Sequence, residues 1–329
     1  MRAIVIDHYG GPEVLREQEL PDPVPAAGEV LVRVHAFGLN HAECYFRSGV
    51  WGDVARVTGI EAAGTVERDP AGVFPTGTRV VAVLGGMGRT RNGSYAELVT
   101  VPASNVVAVD TDLAWSVLAA VPEAYATAWS ALHRNLDLRA GQRLLVRGAT
   151  SAVGQAVLQL GVLAGATVIA TTRNAERAPY LRRLGADTVL IDDGALATQL
   201  AKLPDRTEQE VDALVDLVGN PVLRDSLQCV SPGGRLVQLG FLGGLGPVEA
   251  FNPVADLPTG VHLSFYGSAF VLGSERYPLN EIPLADIFRQ VRSGRLQAQP
   301  VRTFAFHEIV AAHRLMEAGT AGGKLVVVL

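Results

Sequence analysis

Between Arg143 and Leu239 the chain alternates apolar strand-like runs with helical ones, and this alternation limits the possible folds more than any other feature. Arg143–Arg147, Thr167–Thr171, Thr188–Ile191, Ala213–Leu217 and Arg235–Leu239 read as strands. Val153–Ala164, Ala175–Leu184, Ala195–Lys202 and Val222–Cys229 read as the helices between them. Strands recurring about every 25 residues with a helix in each gap imply a parallel sheet, because the chain must return to the starting edge before each new strand. The expectation is an α/β fold with a doubly wound parallel sheet.

The flanks have a different rhythm. Residues 1 to 120 carry short alternating runs, such as Val30–Val34, Arg79–Leu84 and Ala96–Val101, cut by glycines and by the Pro21, Pro23, Pro25, Gly28 loop. That pattern reads as an antiparallel, barrel-like β domain. Ala114–Val121 and Ala124–Arg134 have helical composition. Beyond the parallel sheet, Pro283–Ser293 reads as a helix, Val301–Phe306 as an edge strand, His307–Ala318 as a helix and Lys324–Leu329 as a closing strand. This tail is expected to rejoin the first domain. The expected division is therefore residues 1–121 with 268–329 as one discontinuous domain, and 122–267 as the other. A length of 329 residues suits two domains.

Composition removes several function classes. Lys and Arg total 28 against 33 acidic residues, a net charge of -5, and no basic run stands out, so no nucleic-acid partner is expected. Cys44 and Cys229 are too few for a disulfide scaffold or a cysteine-built zinc site, which suits a reducing compartment. The opening MRAIVIDHYGG lacks a basic n-region and a long apolar stretch, and no apolar run approaches the roughly 20 residues of a membrane span. A soluble, cytoplasmic protein with no membrane partner is expected.

The strand Leu144–Val146 runs into Arg147-Gly148-Ala149-Thr150-Ser151-Ala152-Val153-Gly154 and then a helix. A small-residue turn lets backbone approach a pyrophosphate, and the helix N-terminus supplies free N–H groups and partial positive charge. Ala149, Ser151 and Gly154 stand at the three positions of the usual glycine pattern, which is thus only partly met. The next strand ends at Thr171-Thr172-Arg173-Asn174. An NAD-preferring site puts a carboxylate there for the ribose hydroxyls. Here Thr172, Arg173 and Arg177 offer a hydroxyl and guanidinium groups instead, which suits a 2′-phosphate and points to NADPH.

Several short segments, in order, resemble one family. Gly38-Leu39-Asn40-His41-Ala42-Glu43-Cys44-Tyr45-Phe46-Arg47-Ser48-Gly49 is similar to the G-x-N-x-x-D-x-x-x-R-x-G segment of the zinc-independent quinone oxidoreductases. These belong to the medium-chain dehydrogenase/reductase superfamily and include the zeta-crystallins. Gly59–Gly64, Gly77–Val80, Gly93–Glu97, Ala124–Leu132, Gly141–Gly154, Leu184–Asp187, Pro232–Arg235 and Gly323–Val326 extend the match along the chain. The resemblance implies a GroES-like β-barrel catalytic domain, a Rossmann domain and a homodimer.

Zinc alcohol dehydrogenases of the superfamily carry Cys at the position of Asn40 and His at that of Ile60; isoleucine has no donor atom and a neutral amide is a poor zinc ligand, so no metal is expected. Glu43 replaces the family's Asp, and Ser151 a usual Gly, adding a hydroxymethyl near the pyrophosphate.

By resemblance Asn40 and Tyr45 are the catalytic residues at the substrate. Asn40 would donate a hydrogen bond to the acceptor oxygen, and Tyr45 would either do likewise or form an aromatic wall. His41 would relay a proton or be structural, and Arg47 would be structural or phosphate-facing rather than catalytic. The resemblance puts Thr127 near the nicotinamide, the backbone of Gly240 and Phe241 on its carboxamide, and Asn220 on the adenine side. Ala149, Ser151, Ala152, Val153 and Gly154 would hold the pyrophosphate, and Thr172, Arg173 and Arg177 the 2′-phosphate. Lys324 would reach the phosphates or be a solvated surface lysine. His262–Leu272, β-like and apolar, would pair across a dimer axis or be an internal edge strand.

Without a metal to polarise a carbonyl, the acceptor has to be electrophilic already, as quinones and conjugated enones are. The expected function is hydride transfer from NADPH to such a small molecule. The alternatives are an enoyl reductase acting on a thioester or polyketide intermediate, and a cofactor-binding protein with little turnover.

Overall fold

In the computed structural model, which describes residues 1–203 and 210–329, the chain divides into Met1–Ala126 with Ser268–Leu329, and Thr127–Gly267. No helix among the described residues is long and apolar enough to cross a membrane.

The first unit is a β structure. Its strands are β1 (Arg2–Ile6), β2 (Leu15–Glu19), β3 (Glu29–Gly38), β4 (Glu61–Arg68), β5 (Arg79–Val83), β6 (Leu98–Pro102) and β7 (Val106–Ala108). β1 and β2 form an antiparallel hairpin. β3 is the hub, pairing antiparallel with β4 and β6. It can do so because Val30, Val32, Val34 and Phe37 are buried and supply the hydrophobic core with Val80, Ala82, Val99 and Val101. The short helix Trp115–Leu118 replaces the longer Ala114–Val121 expected, and β6 begins at Leu98 rather than Ala96.

The second unit is the parallel sheet. β8 (Arg143–Arg147), β9 (Thr167–Thr172), β10 (Thr188–Ile191), β11 (Val211–Asp216), β12 (Val230–Gln238) and β13 (His262–Phe265) lie in the order β10-β9-β8-β11-β12-β13, every pair parallel. Numbered from β8, this is the 3-2-1-4-5-6 order of the doubly wound dinucleotide fold, and the order reverses between β8 and β11. β8 and β11 are covered on both faces, so Leu144, Leu145, Val146 and Leu214 are all fully buried.

Three local expectations change. The helix expected over Ala175–Leu184 is split into a tight turn at Ala175–Arg177 and a helix at Ala178–Arg183, because Pro179 has no N–H to donate and fits only the first turn of a helix. Helix Pro122–Ser130 ends in a wider turn at Ala131–Asn135 rather than continuing as regular helix to Arg134. His262–Leu272 is a strand only as far as Phe265, where it forms the sheet edge, and Ser268–Val271 is helical.

The chain's last part supplies β14 (Arg302–Ala305) and β15 (Leu325–Val328) to the first unit, where β15 pairs antiparallel with β3, Val326 opposite Gly38.

Candidate functional site

Two buried polar clusters stand out, one in each unit. The first begins where β3 ends. Gly38 lies against Glu61, Lys324 and the backbone of Ala119; a Cβ there would come within 2.4 Å of Glu61 Oε1 and 2.6 Å of the Ala119 carbonyl oxygen, so glycine is required. Asn40 then starts the helix His41–Ser48. Its Nδ2 donates to Glu61 Oε1 (2.9 Å), and its Oδ1 accepts from Lys324 Nζ (2.6 Å). Lys324 also donates to Glu61 Oε1, and Glu61 Oε2 accepts the backbone N–H of Glu123 (2.8 Å). Glu61 is fully buried and Lys324 is 6% exposed.

This geometry corrects two expectations. Asn40 directs its amide at Glu61 and, more weakly, the Gly38 carbonyl, rather than holding it free for an acceptor oxygen. Lys324 is not a solvated surface lysine, and its ammonium is directed at Asn40 and Glu61 rather than left for phosphates. The arrangement does not fit a zinc ion: Ile60 offers no donor, the Asn40 oxygen holds an ammonium, and that positive charge would repel a dication.

Below this lies a directional chain of hydrogen bonds. Glu43 accepts the N–H of Asn40 (2.8 Å), the N–H of Ile60 (3.1 Å) and the hydroxyl of Tyr95 (2.6 Å). Tyr95 oxygen lies 3.0 Å from His313 Nε2, and Cys44 Sγ lies 4.0 Å from His313 Nδ1. One assignment satisfies every member: thiol to Nδ1, Nε2–H to the phenol oxygen, phenol to carboxylate. Burial pushes the Glu43 carboxyl up to about 7, against the lowering pull of its Tyr95 and Asn40 hydrogen bonds. Burial pulls His313 down to about 3, so its imidazole is neutral. Cys44 is buried and its thiol is pushed up to about 12 by burial, which makes it inert. Arg47 is buried with Glu317 and the Gly10 carbonyl as partners.

Tyr45 is half-buried on the same helix as Cys44, its ring 5.5 Å from Trp51 and 5.8 Å from His41. Burial raises its phenol pKa, so it carries its proton at neutral pH, and burial lowers that of His41.

In the second unit the phosphate turn is built as a strand–turn–helix. Ser151 caps the helix Ala152–Leu163: its Oγ accepts the Gly154 N–H (3.0 Å) and donates to the Gly148 carbonyl (3.0 Å). The hydroxymethyl is thus folded into the turn rather than projecting at a pyrophosphate. A Cβ on Gly154 would meet the Gly148 oxygen at 2.4 Å, which explains the glycine. The Ala149 N–H donates to the Thr171 carbonyl (3.2 Å) and that of Gly154 is capped, so Ala149 and Gly154 act as spacers. The first-turn N–H groups of Ala152 and Val153 are those oriented for an anion.

At the end of β9, Thr172 Oγ1 is engaged by the backbone of Asn174, accepting its N–H (3.1 Å) and donating to its carbonyl (3.1 Å). This hydroxyl is therefore not presented to a ribose phosphate, whereas Arg173 is exposed and Arg177 half-exposed. Asn220 is also occupied: Nδ2 donates to the Gly246 carbonyl (2.6 Å) and Oδ1 accepts from Gln238 Nε2 (2.6 Å). The Gly240 N–H donates to the Asp216 carbonyl (3.2 Å), so it is not free for a carboxamide; the Phe241 ring lies 5.9 Å from Phe265. Thr127 is buried.

The reading of the sequence missed the second unit's ionic cluster. Arg147, the last residue of β8, is fully buried. Its Nε and Nη2 reach the two oxygens of Asp192 (2.9 Å each), and its Nη1 reaches Asp225 Oδ2 (2.8 Å) and Ser226 Oγ (2.9 Å). Ser226 in turn donates to Asp216 Oδ2 (2.7 Å). The available signal was an arginine closing an otherwise apolar strand, which a buried parallel sheet accommodates only with partners.

Comparison with known proteins agrees with both halves. Residues 26–111 match the alcohol dehydrogenase GroES-like domain family, and residues 184–327 the zinc-binding dehydrogenase family. Mouse quinone oxidoreductase is 32% identical over 77% of this chain and 76% of its own length. The Pseudomonas aeruginosa quinone oxidoreductase is 30% identical over 97% of this chain and 96% of its own. A mycobacterial protein solved in complex with NADPH superposes with a TM-score of 0.87 at 30% identity, covering 100% of both chains. The chain belongs to the zinc-independent quinone oxidoreductases of the medium-chain dehydrogenase/reductase superfamily.

Proposed function

We propose that this protein is an NADPH-dependent reductase of quinones or conjugated enones. The observation that carries the reading is the end of β9, where Thr172 stands in place of a carboxylate and the exposed Arg173 and half-exposed Arg177 follow, a setting for a 2′-phosphate. The similar mycobacterial protein was solved with NADPH, which supports the same choice.

Bound NADPH supplies a hydride, and the electrophilic acceptor takes it without a metal. The N–H groups of Ala152 and Val153 would hold the pyrophosphate, and Arg173 and Arg177 would hold the 2′-phosphate. Asn40 acts as a positioning residue, aligning the Lys324 ammonium with Glu61. Tyr45, kept protonated by burial, delivers the proton that completes reduction. The catalytic form is a homodimer, joined along the exposed edge of β13, where Phe265 is 55% exposed.

The test is NADPH oxidation followed by absorbance with a naphthoquinone, an acyclic enone and an acyl thioester, with NADH in parallel. Turnover of the quinone or enone with NADPH supports the reading. Turnover of the thioester alone assigns the chain to enoyl reduction, and no turnover with NADPH bound leaves only a binding role. Tyr45→Phe should lower enone turnover by about 100- to 10,000-fold, the range of a lost general acid. An unchanged rate would remove Tyr45 from the mechanism.

A further inference from the structure

We infer that Arg147 sets the dinucleotide preference by caging Asp192, a carboxylate that would otherwise oppose the 2′-phosphate. The inference rests on the NADPH reading above and extends it to residues outside the expected set.

The starting point is position. β10 pairs with β9 so that Ile191 lies opposite Thr172, and the N–H of Asp192 donates to the Thr172 carbonyl (2.9 Å). Asp192 is therefore tied by one backbone hydrogen bond to the residue standing where an NAD-preferring site carries its acidic group. The chain has no carboxylate at Thr172 but keeps one beside it. A free carboxylate there would accept ribose hydroxyls and repel a 2′-phosphate, reversing the effect of Arg173 and Arg177.

Arg147 prevents that. Its fork takes both Asp192 oxygens at 2.9 Å, and Asp192 Oδ1 also accepts the Gly194 N–H (2.9 Å). The Asp192 side chain is 9% exposed and Arg147 is fully buried, so both carboxylate oxygens are held against the guanidinium instead of facing the ribose. The neighbouring Asp193 is engaged in its own turn, accepting from the Ala195 N–H (3.0 Å) and Gln199 Nε2 (2.7 Å). On its other side Arg147 is anchored by Asp225, which also accepts the N–H groups of Leu196 (2.9 Å) and Ala197 (3.2 Å). The guanidinium thus has a fixed seat, and two parallel bonds in one plane are a geometry that lysine cannot reproduce.

The experiment measures dissociation constants for NADPH and NADH by fluorescence titration of the parent, R147K and R147K/D192N, with thermal melting to confirm folding. In R147K the lysine cannot hold both oxygens. The affinity ratio of NADPH to NADH should fall about tenfold, a differential interaction of about 1.4 kcal/mol from the released carboxylate. R147K/D192N, with the carboxylate removed, should return the ratio to within about threefold of the parent. Equal weakening of both cofactors in R147K, or no recovery in the double variant, would overturn the proposal.

Should R147K fail to fold, the uncharged pair R147M/D192N decides: a parent-like ratio supports caging, and a loss confined to NADPH shows that Arg147 attracts the phosphate directly. A parent that prefers NADH would refute the NADPH reading by itself, while the shift between parent and R147K still reports on Arg147.

Discussion

The two buried clusters solve the same problem by different means. In the β unit, Lys324 faces Glu61 while a separate chain of neutral or near-neutral groups runs from Cys44 through His313 and Tyr95 to Glu43. In the parallel-sheet unit, one guanidinium serves Asp192 and Asp225 directly and Asp216 through Ser226. Two members of that chain, His313 and Glu43, are moved by burial to about 3 and about 7, whereas the second cluster is built on a guanidinium that stays charged at any ordinary pH. A cluster with one cation among several carboxylates has a single point of failure; a chain of neutral donors and acceptors does not.

The largest expected effects follow from that asymmetry. Arg147→Ala leaves Asp192 and Asp225 without their cation in a buried setting and should cost about 3–5 kcal/mol, measured as a lower urea midpoint for the parallel-sheet unit. Tyr95→Phe removes one member of the neutral chain without stranding a charge, so it should cost less, about 1–3 kcal/mol. Equal losses would show that the two clusters tolerate damage alike and end the comparison.

The comparison also shows what could be read in advance. The doubly wound sheet was legible because short apolar runs recur from β8 to β12 with a helical stretch in each gap. Asn40 and Glu43 were legible as site positions, since they lie within one short family segment. Their roles were not. Asn40 looked like a donor to substrate because nothing local shows that Glu61, 21 residues on, takes its amide. Arg147 was passed over because its partners Asp192 and Asp225 lie 45 and 78 residues away and come together only through the strand order. His313 reaches Tyr95 across 218 residues. Capping by Ser151 is local and follows from a serine before a helix, so its inward turn could have been foreseen.

The next contrast concerns close packing. Gly154→Ala drives a methyl group to 2.4 Å from a backbone oxygen that cannot move aside, whereas Gly38→Ala meets the flexible ends of Glu61 and Lys324 as well as the Ala119 carbonyl. Both should cost about 1–3 kcal/mol by overpacking. Gly154→Ala should also weaken NADPH binding, because it displaces the turn that presents the Ala152 and Val153 N–H groups. Isothermal titration would separate the two: a Gly154→Ala variant binding NADPH as tightly as the parent would mean the turn does not hold the phosphates.

A smaller effect concerns pH. His313, depressed to about 3 in the fold, contributes stability that is present above about 6.5 and lost as pH falls toward 3, because the unfolded chain takes up the proton first. Glu43, raised to about 7, has the opposite sign: its contribution is complete below about 4.5 and lost as pH rises through 7. Between about 4.5 and 6.5 the two oppose each other, and the parent's stability should change little from this cluster. His313→Gln removes one side and leaves the Glu43 slope alone. Its urea midpoint relative to the parent should rise as pH is lowered from 7 to 4.5; a constant difference would mean that these two groups do not titrate as a pair.

The smallest expected effect separates a structural from a ligand-facing role at the phosphate turn. Ser151→Ala removes the acceptor that caps Gly154 and should cost about 1 kcal/mol, whereas Ser151→Gly should cost only a few tenths, since glycine is tolerated at a helix N-cap. The hydroxyl is directed at Gly148 and Gly154, so neither variant removes a group facing the cofactor, and the NADPH dissociation constant should move less than about threefold in both. A loss of affinity in Ser151→Ala that exceeds its loss of stability would assign the hydroxyl to the phosphate. In that case the capping geometry would belong to the cofactor-free chain, and the turn would rearrange when the dinucleotide binds.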